Sequence, residues 1–239
     1  MNVTLISYTP EADIVLLFTK STRLTMSPSL IDDIRMWPPE KKQAELAYMA
    51  RTIPSSWEFV DYTFLVEGVS RAYTHQQVRT RHGSYAQQSM RVVNMGEFDY
   101  IYPETILKHE DNKKLIDQLL LQIKWVYKTL VDAGVAEEDA RGILPTNIAT
   151  NIVCKFNLRT FVELAKARTG GRTQEEYRMV INAMVDEVLR IHPWAKEFLF
   201  GAKERNYFEE LETFAVTKFP KFSERSELLK IIDAMRKET

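Results

Sequence analysis

Residues 71–91 read RAYTHQQVRTRHGSYAQQSMR. Residues 70–80 suit a helix, and Gly83-Ser84 breaks it. Within the stretch lie Arg71, Arg79, Arg81 and Arg91, with His75, His82, Gln76, Gln77, Gln87, Gln88, Ser84 and Ser89, and without any Asp or Glu. Arginine forks and amide or hydroxyl donors without a neutralising carboxylate suit a phosphate or another anionic oxygen group. The competing reading is a basic helix end that meets acids elsewhere in the fold. Gln76 and Arg79 are three apart and share a helical face. Ser89 and Arg91 are two apart, so an extended strand would point both the same way. A helix end facing such a strand wraps an anion from two sides.

Outward from this stretch the chain alternates short β-rich runs with longer helical ones. Val3–Tyr8 alternates and predicts a strand. Ile14–Phe18 is a short apolar run, and Ser21–Ser29 is polar and expected to be irregular. Pro38-Pro39 leads into a helix over Glu40–Arg51. Phe59–Val66 is rich in β-branched and aromatic residues and fits either a strand or the start of a helix. Leu107–Ala133 carries apolar residues at helical spacing, and Gly134 suits its end. A short helix at Ala136–Arg141, a β-rich run at Ile148–Phe156, a helix at Leu158–Ala167 and a long helix at Thr173–Ile191 follow. Residues 200–239 are charged and aromatic, with a helical signal at Ser226–Arg236. The fold class is α+β with helix dominant, as one domain or one domain with an appendage; the family resemblance given below covers about residues 1–200 and leaves 201–239 as a C-terminal helical extension.

Composition excludes several classes. The chain has 239 residues, is 45% hydrophobic and carries a net charge of −1. That supports a sizeable core and gives no global field toward nucleic acid or membrane. Cys154 is the single cysteine, so no intrachain disulfide or Cys-rich zinc site forms. It sits in the apolar run IVCKF and reads as core rather than nucleophile. There is no HExxH, GxSxG, P-loop or GxGxxG, and no metal site is expected. The N-terminus lacks the pattern of a secretory signal, and no apolar run reaches 18 residues, so a cytoplasmic protein is expected. Asn157, Arg159, Arg168 and Arg172 form a second polar set, for which plain surface arginines are the alternative. Arg159 and Arg168 are nine apart, so one acts at a helix start and the other at its end.

These residues resemble the flavin-dependent thymidylate synthases, the ThyX family. Its signature is Arg-His-Arg, seven residues, then Ser; here it is Arg79-Thr80-Arg81, HGSYAQQ and Ser89. SRAYTHQ, SYAQQS, VTLISYTP, the WEF and TF block at 57–64, ILPTN at 143–147 and the NLR, R and Q of 157–174 extend the match, collinearly, over about residues 1–200. The resemblance implies a mixed α/β subunit in a homotetramer with shared sites. It implies methylation of dUMP to dTMP using FAD, methylenetetrahydrofolate and NADPH. By position, Gln76, Arg79, Gln87, Ser89, Met90, Arg91 and Arg141 would hold the nucleotide, chiefly its phosphate. Ser55, Arg79, Thr80, Arg81, Gln87, Asn157, Leu158, Arg159 and Glu163 occupy flavin-binding positions. Arg168 matches the arginine facing the pyrimidine N3–O2 edge, where a fixed cation makes C5 a better nucleophile. Ser89 then binds rather than attacks, and reduced flavin supplies the hydride.

The sequence departs from that pattern at Thr80 for the signature histidine, at Ile53, Val92 and Arg172, and at Glu163. The departures concentrate on the flavin and folate side. They motivate two further expectations: a relative that hydroxymethylates dUMP or dCMP, or a nucleotide-binding homologue without turnover.

Overall fold

The structure, a computed structural model, describes residues 1–24, 26–201, 211, 214–215 and 222–238. Thr25, within the segment expected to be irregular, and most of 202–221 lie outside the described residues. The chain divides into two compact units, Met1–Leu199 and Phe200–Thr239.

The first unit is built on a four-stranded antiparallel sheet in the order β1-β2-β4-β3. The strands are β1 (Asn2–Tyr8), β2 (Asp61–Ser70), β3 (Ser84–Gln87) and β4 (Ala149–Asn157). The ambiguous run after Phe59 is therefore a strand, and the period of two decides it. Tyr62, Phe64 and Val66 are buried in alternation, as are Thr150, Ile152, Cys154 and Phe156 on β4. One sheet face thus carries large apolar side chains that only a second layer can cover. Helices supply it. Ahead of β2 lie α1 (Ala12–Ser21), α2 (Ser29–Arg35) and α3 (Pro39–Thr52), with a 3₁₀ turn at Pro54–Phe59. After β2 come α4 (Arg71–Gln77), α5 (Glu104–Leu107), α6 (Glu110–Asp132) and α7 (Glu137–Ala140). A 3₁₀ turn at Arg141–Ile143 leads to β4, then α8 (Leu158–Arg168), α9 (Glu175–Ile191) and α10 (Lys196–Phe200).

The main core joins Tyr62, Phe64, Phe156 and Phe161 with Val180, Met184 and Val188 of α9. A smaller cluster of Phe98, Leu120 and Ile148 seats α6 over the loop after β3. Register is pinned by a β-bulge between Val66 and Val69. Gly68 sits there with φ +63°, a backbone state that favours glycine, and its N–H donates to Asn151 Oδ1 at 3.0 Å. The bulge puts the buried Ser70 at the strand's end, where β2 passes straight into α4.

The helix expected over Leu107–Ala133 is present as α6 but starts later, at Glu110, because the chain is extended at His109; Gly134 follows its end with φ +88°. In the second unit a helix spans Phe222–Glu238. Among the described residues no helix is long and apolar enough to cross a membrane.

Candidate active site

The β2–α4 junction positions the basic stretch. Ser70 Oγ accepts the Tyr73 N–H at 3.0 Å and caps α4. Ser70 N and Oγ in turn donate to the two Glu176 carboxylate oxygens at 2.6 and 2.5 Å. Helix α9 therefore fixes the start of α4. The helix ends at Gln77, earlier than Thr80, because the chain tightens into turns: Arg79 N donates to Gln76 O and Thr80 N to Gln77 O. Arg79 and Arg81 are displayed from these turns, exposed and without a carboxylate partner among the described residues. Gln76 shares its amide with Ala72 O and with Gln174, in the loop ahead of α9.

Two arginines converge on one place. Arg71 Nη2 donates to Gln88 O at 2.5 Å, while its Nε is buried without a partner. Burial, and then the positive charge of Arg141, hold the Arg71 pKa below its ordinary value. Arg141 uses only its Nε, which donates to Glu138 O at 3.0 Å. Neither guanidinium has a carboxylate partner among the described residues. Nearby, Ser89 does not lie on an extended strand, contrary to the spacing argument. Strand β3 stops at Gln87, Ser89 Oγ accepts the Arg91 N–H at 3.1 Å, and Ser89 O accepts the Val93 N–H. The local hydroxyl-to-backbone bond wins over extension. Arg91 thereby turns to Glu138 of α7, 2.7 Å from Nη2. Met90 packs against the smaller core cluster. Gln87 Nε2 donates to Thr74 Oγ1 at 2.9 Å and Thr150 Oγ1 at 3.4 Å.

Of the positions the resemblance gives to flavin, Asn157, Arg159 and Glu163 come together at the start of α8, apart from Arg79, Thr80, Arg81 and Gln87. Asn157 caps α8 by accepting the Thr160 N–H at 2.9 Å. Arg159 follows at the helix start, and Arg168 stands at its end, as the nine-residue spacing requires. A pocket of about 360 Å³ is lined by Glu58, His82, Asn157, Arg159, Thr160 and Glu163. Arg159 Nη1 meets Glu58 at 2.7 Å and its Nε meets Glu163 at 3.5 Å. The bond from Glu58 raises the Arg159 pKa. Ser55 is exposed in the 3₁₀ turn, whereas the Leu158 side chain is wholly within the core. Among the described residues no hydrogen bond or ion pair links this group to the Arg71–Arg141 group.

Arg168 touches neither group by a hydrogen bond. Its Cζ lies over the Tyr177 ring, 5.2 Å from the centroid. Tyr177 is fully buried, and its hydroxyl makes no hydrogen bond of good geometry, with Thr80 and Arg168 as polar neighbours. Sequence spacing missed Glu58 and Glu138, which neutralise Arg159 and Arg91 through space. It also missed Tyr177, for which nothing local gives a signal.

Residues 4–194 match the family described as Thymidylate synthase complementing protein. The chain belongs to that family, the flavin-dependent thymidylate synthases. It is 33% identical over 236 residues to the flavin-dependent thymidylate synthase of Nitratidesulfovibrio vulgaris, covering 91% of this chain and 95% of that one. With the enzyme of Clostridium tetani it shares 31% over 211 residues, 81% and 84% of the two chains. With that of Sulfurisphaera tokodaii it shares 32% over 204 residues, 81% and 75%.

Arginines lead the donor set, and in the pocket at α8 Arg159 stands beside the carboxylates of Glu58 and Glu163. Arg79 and Arg81 have no competing carboxylate among the described residues. The ion pairs of Arg159 are solvent-exposed and so exchange readily for another anion. The pocket beside it opens at the N-terminus of α8, a favourable place for negative charge. The exchange of the signature histidine for Thr80 leaves this charge pattern intact.

Proposed function

We propose that the chain methylates dUMP at C5 to give dTMP, with FAD bound, methylenetetrahydrofolate as carbon donor and NADPH as reductant. The observation that carries this reading is the match of residues 4–194 to this family, in a chain whose Arg71 keeps a buried Nε without a hydrogen-bond partner. A buried guanidinium N–H without a partner is costly unless an anion joins it. A nucleotide phosphate there meets Arg141, Arg91, the Ser89 hydroxyl and the amides of Gln76 and Gln87, with Met90 and Arg79 at its edge.

Arg168 takes the N3–O2 edge of the base. Negative charge that builds on that edge as C5 attacks the one-carbon donor is stabilised by the guanidinium, so electron density is available at C5. No protein nucleophile is required: burial pushes the Cys154 thiol up to about 12, and Ser89 Oγ, which accepts the Arg91 N–H, binds rather than attacks. Arg79, Thr80, Arg81, Gln87, Asn157, Arg159, Glu163, Ser55 and the backbone at Leu158 would hold FAD. When bound and reduced, the flavin supplies the hydride that completes the methyl group.

The working form is a cytoplasmic homotetramer with sites shared between subunits. Two features support this. Among the described residues the Asn157–Arg159–Glu163 pocket has no hydrogen bond or ion pair to the Arg71–Arg141 group, and α6 leaves Leu115, Leu119, Leu121 and Trp125 between 52% and 69% exposed. On this reading residues 1–200 carry the reaction and 201–239 form an extension; the family model matches residues 4–194. The deciding experiment is the product mass after incubation with dUMP, methylenetetrahydrofolate and NADPH. A methyl product is expected. A hydroxymethyl product or unchanged dUMP would overturn the reading.

A further inference from the structure

Arginine has a long, flexible side chain, and a charge aimed at one edge of a base must be held still. Arg168 ends α8, ahead of Gly170-Gly171, and no carboxylate among the described residues holds it. The last turn of α8 does not use it either, because Thr169 N and Oγ1 both donate to Ala165 O. What lies against its guanidinium is the Tyr177 ring, 5.2 Å from Cζ to centroid. That ring is itself immobilised: it is wholly buried and meets Tyr73 edge-on at 5.3 Å and 75°. Tyr73 is tied to α4 through Gln77 Oε1 at 3.2 Å. The Tyr177 hydroxyl, buried without a well-formed bond, faces Arg168 and Thr80. Thr80 is the signature position that departs from histidine.

We propose that Tyr177 is a positioning residue for catalysis, whose ring face fixes the Arg168 guanidinium against the pyrimidine; this rests on the assignment of Arg168 to the base. A ring face attracts a cation in proportion to its negative electrostatic potential. The positioning is therefore electronic as well as steric, which separates it from a plain core role. Packing alone depends on the shape of residue 177, whereas orientation of Arg168 also depends on the electron density of its ring.

The test replaces Tyr177 by phenylalanine and then by phenylalanines carrying one, two and three ring fluorines, which keep the shape and drain the ring face. Turnover is expected to fall stepwise with fluorination to about a tenth. The KM for dUMP should stay within about twofold, because the phosphate dominates binding. Tyr177→Phe should retain more turnover than Tyr177→Leu. In an Arg168→Ala background, Tyr177→Leu should cost no further turnover, as expected for residues acting as one unit. A readout apart from turnover is the ¹⁹F titration of bound 5-fluoro-dUMP. Ionisation at N3 should occur at lower pH when bound to the wild type than to either Arg168→Ala or Tyr177→Leu. Equal turnover across the fluorinated series, or additive losses in the double variant, would overturn the inference and leave Tyr177 as core. If Arg168→Ala alone changed neither turnover nor the fluorine titration, the assignment of Arg168 would fall first and the inference with it.

Discussion

Arg91 and Glu138 form a two-pronged ion pair, with Nη2 and Nε at 2.7 and 2.8 Å from the same carboxylate oxygen, Oε2. Both side chains are about half exposed, so the pair is easily exchanged for a better anion. A nucleotide phosphate offers more charge and more acceptor oxygens than one carboxylate. Arg91→Ala is expected to weaken dUMP binding by about 1.5–3 kcal/mol, the range for hydrogen bonds to charged groups. Glu138→Gln should do the reverse and tighten binding about twofold to fivefold by removing the competitor. Calorimetric titration with dUMP reads both. Weaker binding in the Glu138 variant would mean that the carboxylate aims Arg91 rather than competes for it.

Arg168→Ala separates catalysis from binding. On the proposed assignment to the pyrimidine N3–O2 edge the cation acts where charge develops, so turnover should drop by about 10²–10³ while dUMP affinity changes far less. Arg168→Lys should not restore full turnover, since an ammonium cannot present a planar fork or stack on Tyr177 in the same way. Because Thr169 already satisfies the Ala165 carbonyl, loss of Arg168 should hardly alter the melting temperature. A large drop in melting temperature with normal activity per folded molecule would reduce Arg168 to a helix-end residue.

Local periodicity made much of this arrangement legible. The apolar spacing of α6, the Gly134 that ends it and the helical run of α8 all act within a few residues of themselves. The strand at 61–70 was ambiguous because β-branched and aromatic residues also suit a helix start; in the structure the period of two puts Tyr62, Phe64 and Val66 in the core and Asp61, Thr63 and Glu67 on the other face. Ser89 and Arg91 were misread as extended because a serine hydroxyl closes a turn on the Arg91 N–H, a choice that spacing does not encode. The absence of acids in 71–91 was real but incomplete as a warrant. Glu138 reaches Arg91 across 47 residues, and Glu58 reaches Arg159 across 101. Such encounters depend on topology, and so does the stacking of Tyr177 on Arg168.

Cys154 sets an alkaline limit. Burial pushes its thiol from the ordinary 9.0 up to about 12. The unfolded chain releases this proton above about pH 9, whereas the folded chain holds it until about 12. The thiol's contribution to stability is thus complete below pH 9 and is lost as pH rises toward 12. Tyr85, also pushed up to about 12 by burial, acts in the same direction. The urea midpoint should therefore fall between pH 8.5 and about 11, and less steeply in Cys154→Ala. Slopes rather than absolute midpoints are compared, because the substitution also leaves a cavity. At pH 8 a thiol reagent should label the folded protein only as fast as it opens. Rapid stoichiometric labelling would show an accessible thiolate and contradict the buried placement.

The outer side of α6 carries the assembly prediction. Leu121 and Trp125 are four apart, as are Leu115 and Leu119, so each pair sits on neighbouring turns. Leu121 is 69% exposed and Trp125 68%. Large apolar side chains grouped on one helix mark an interaction surface more strongly than scattered ones do. A tetramer that shares its sites places such a surface against a second copy of the chain. Trp125→Glu should then shift the light-scattering mass at micromolar concentration from tetramer toward smaller species. Burying one carboxylate without a partner costs several kcal/mol per interface, on the order of 2–5. The folded subunit should persist, since Trp125 contributes little to the core of its own chain, and circular dichroism should be unchanged. Turnover should fall with the mass and recover as protein concentration is raised. A wild-type protein that is monomeric at micromolar concentration would refute the shared site. A variant that dissociates yet keeps full turnover would confine the whole site to one chain.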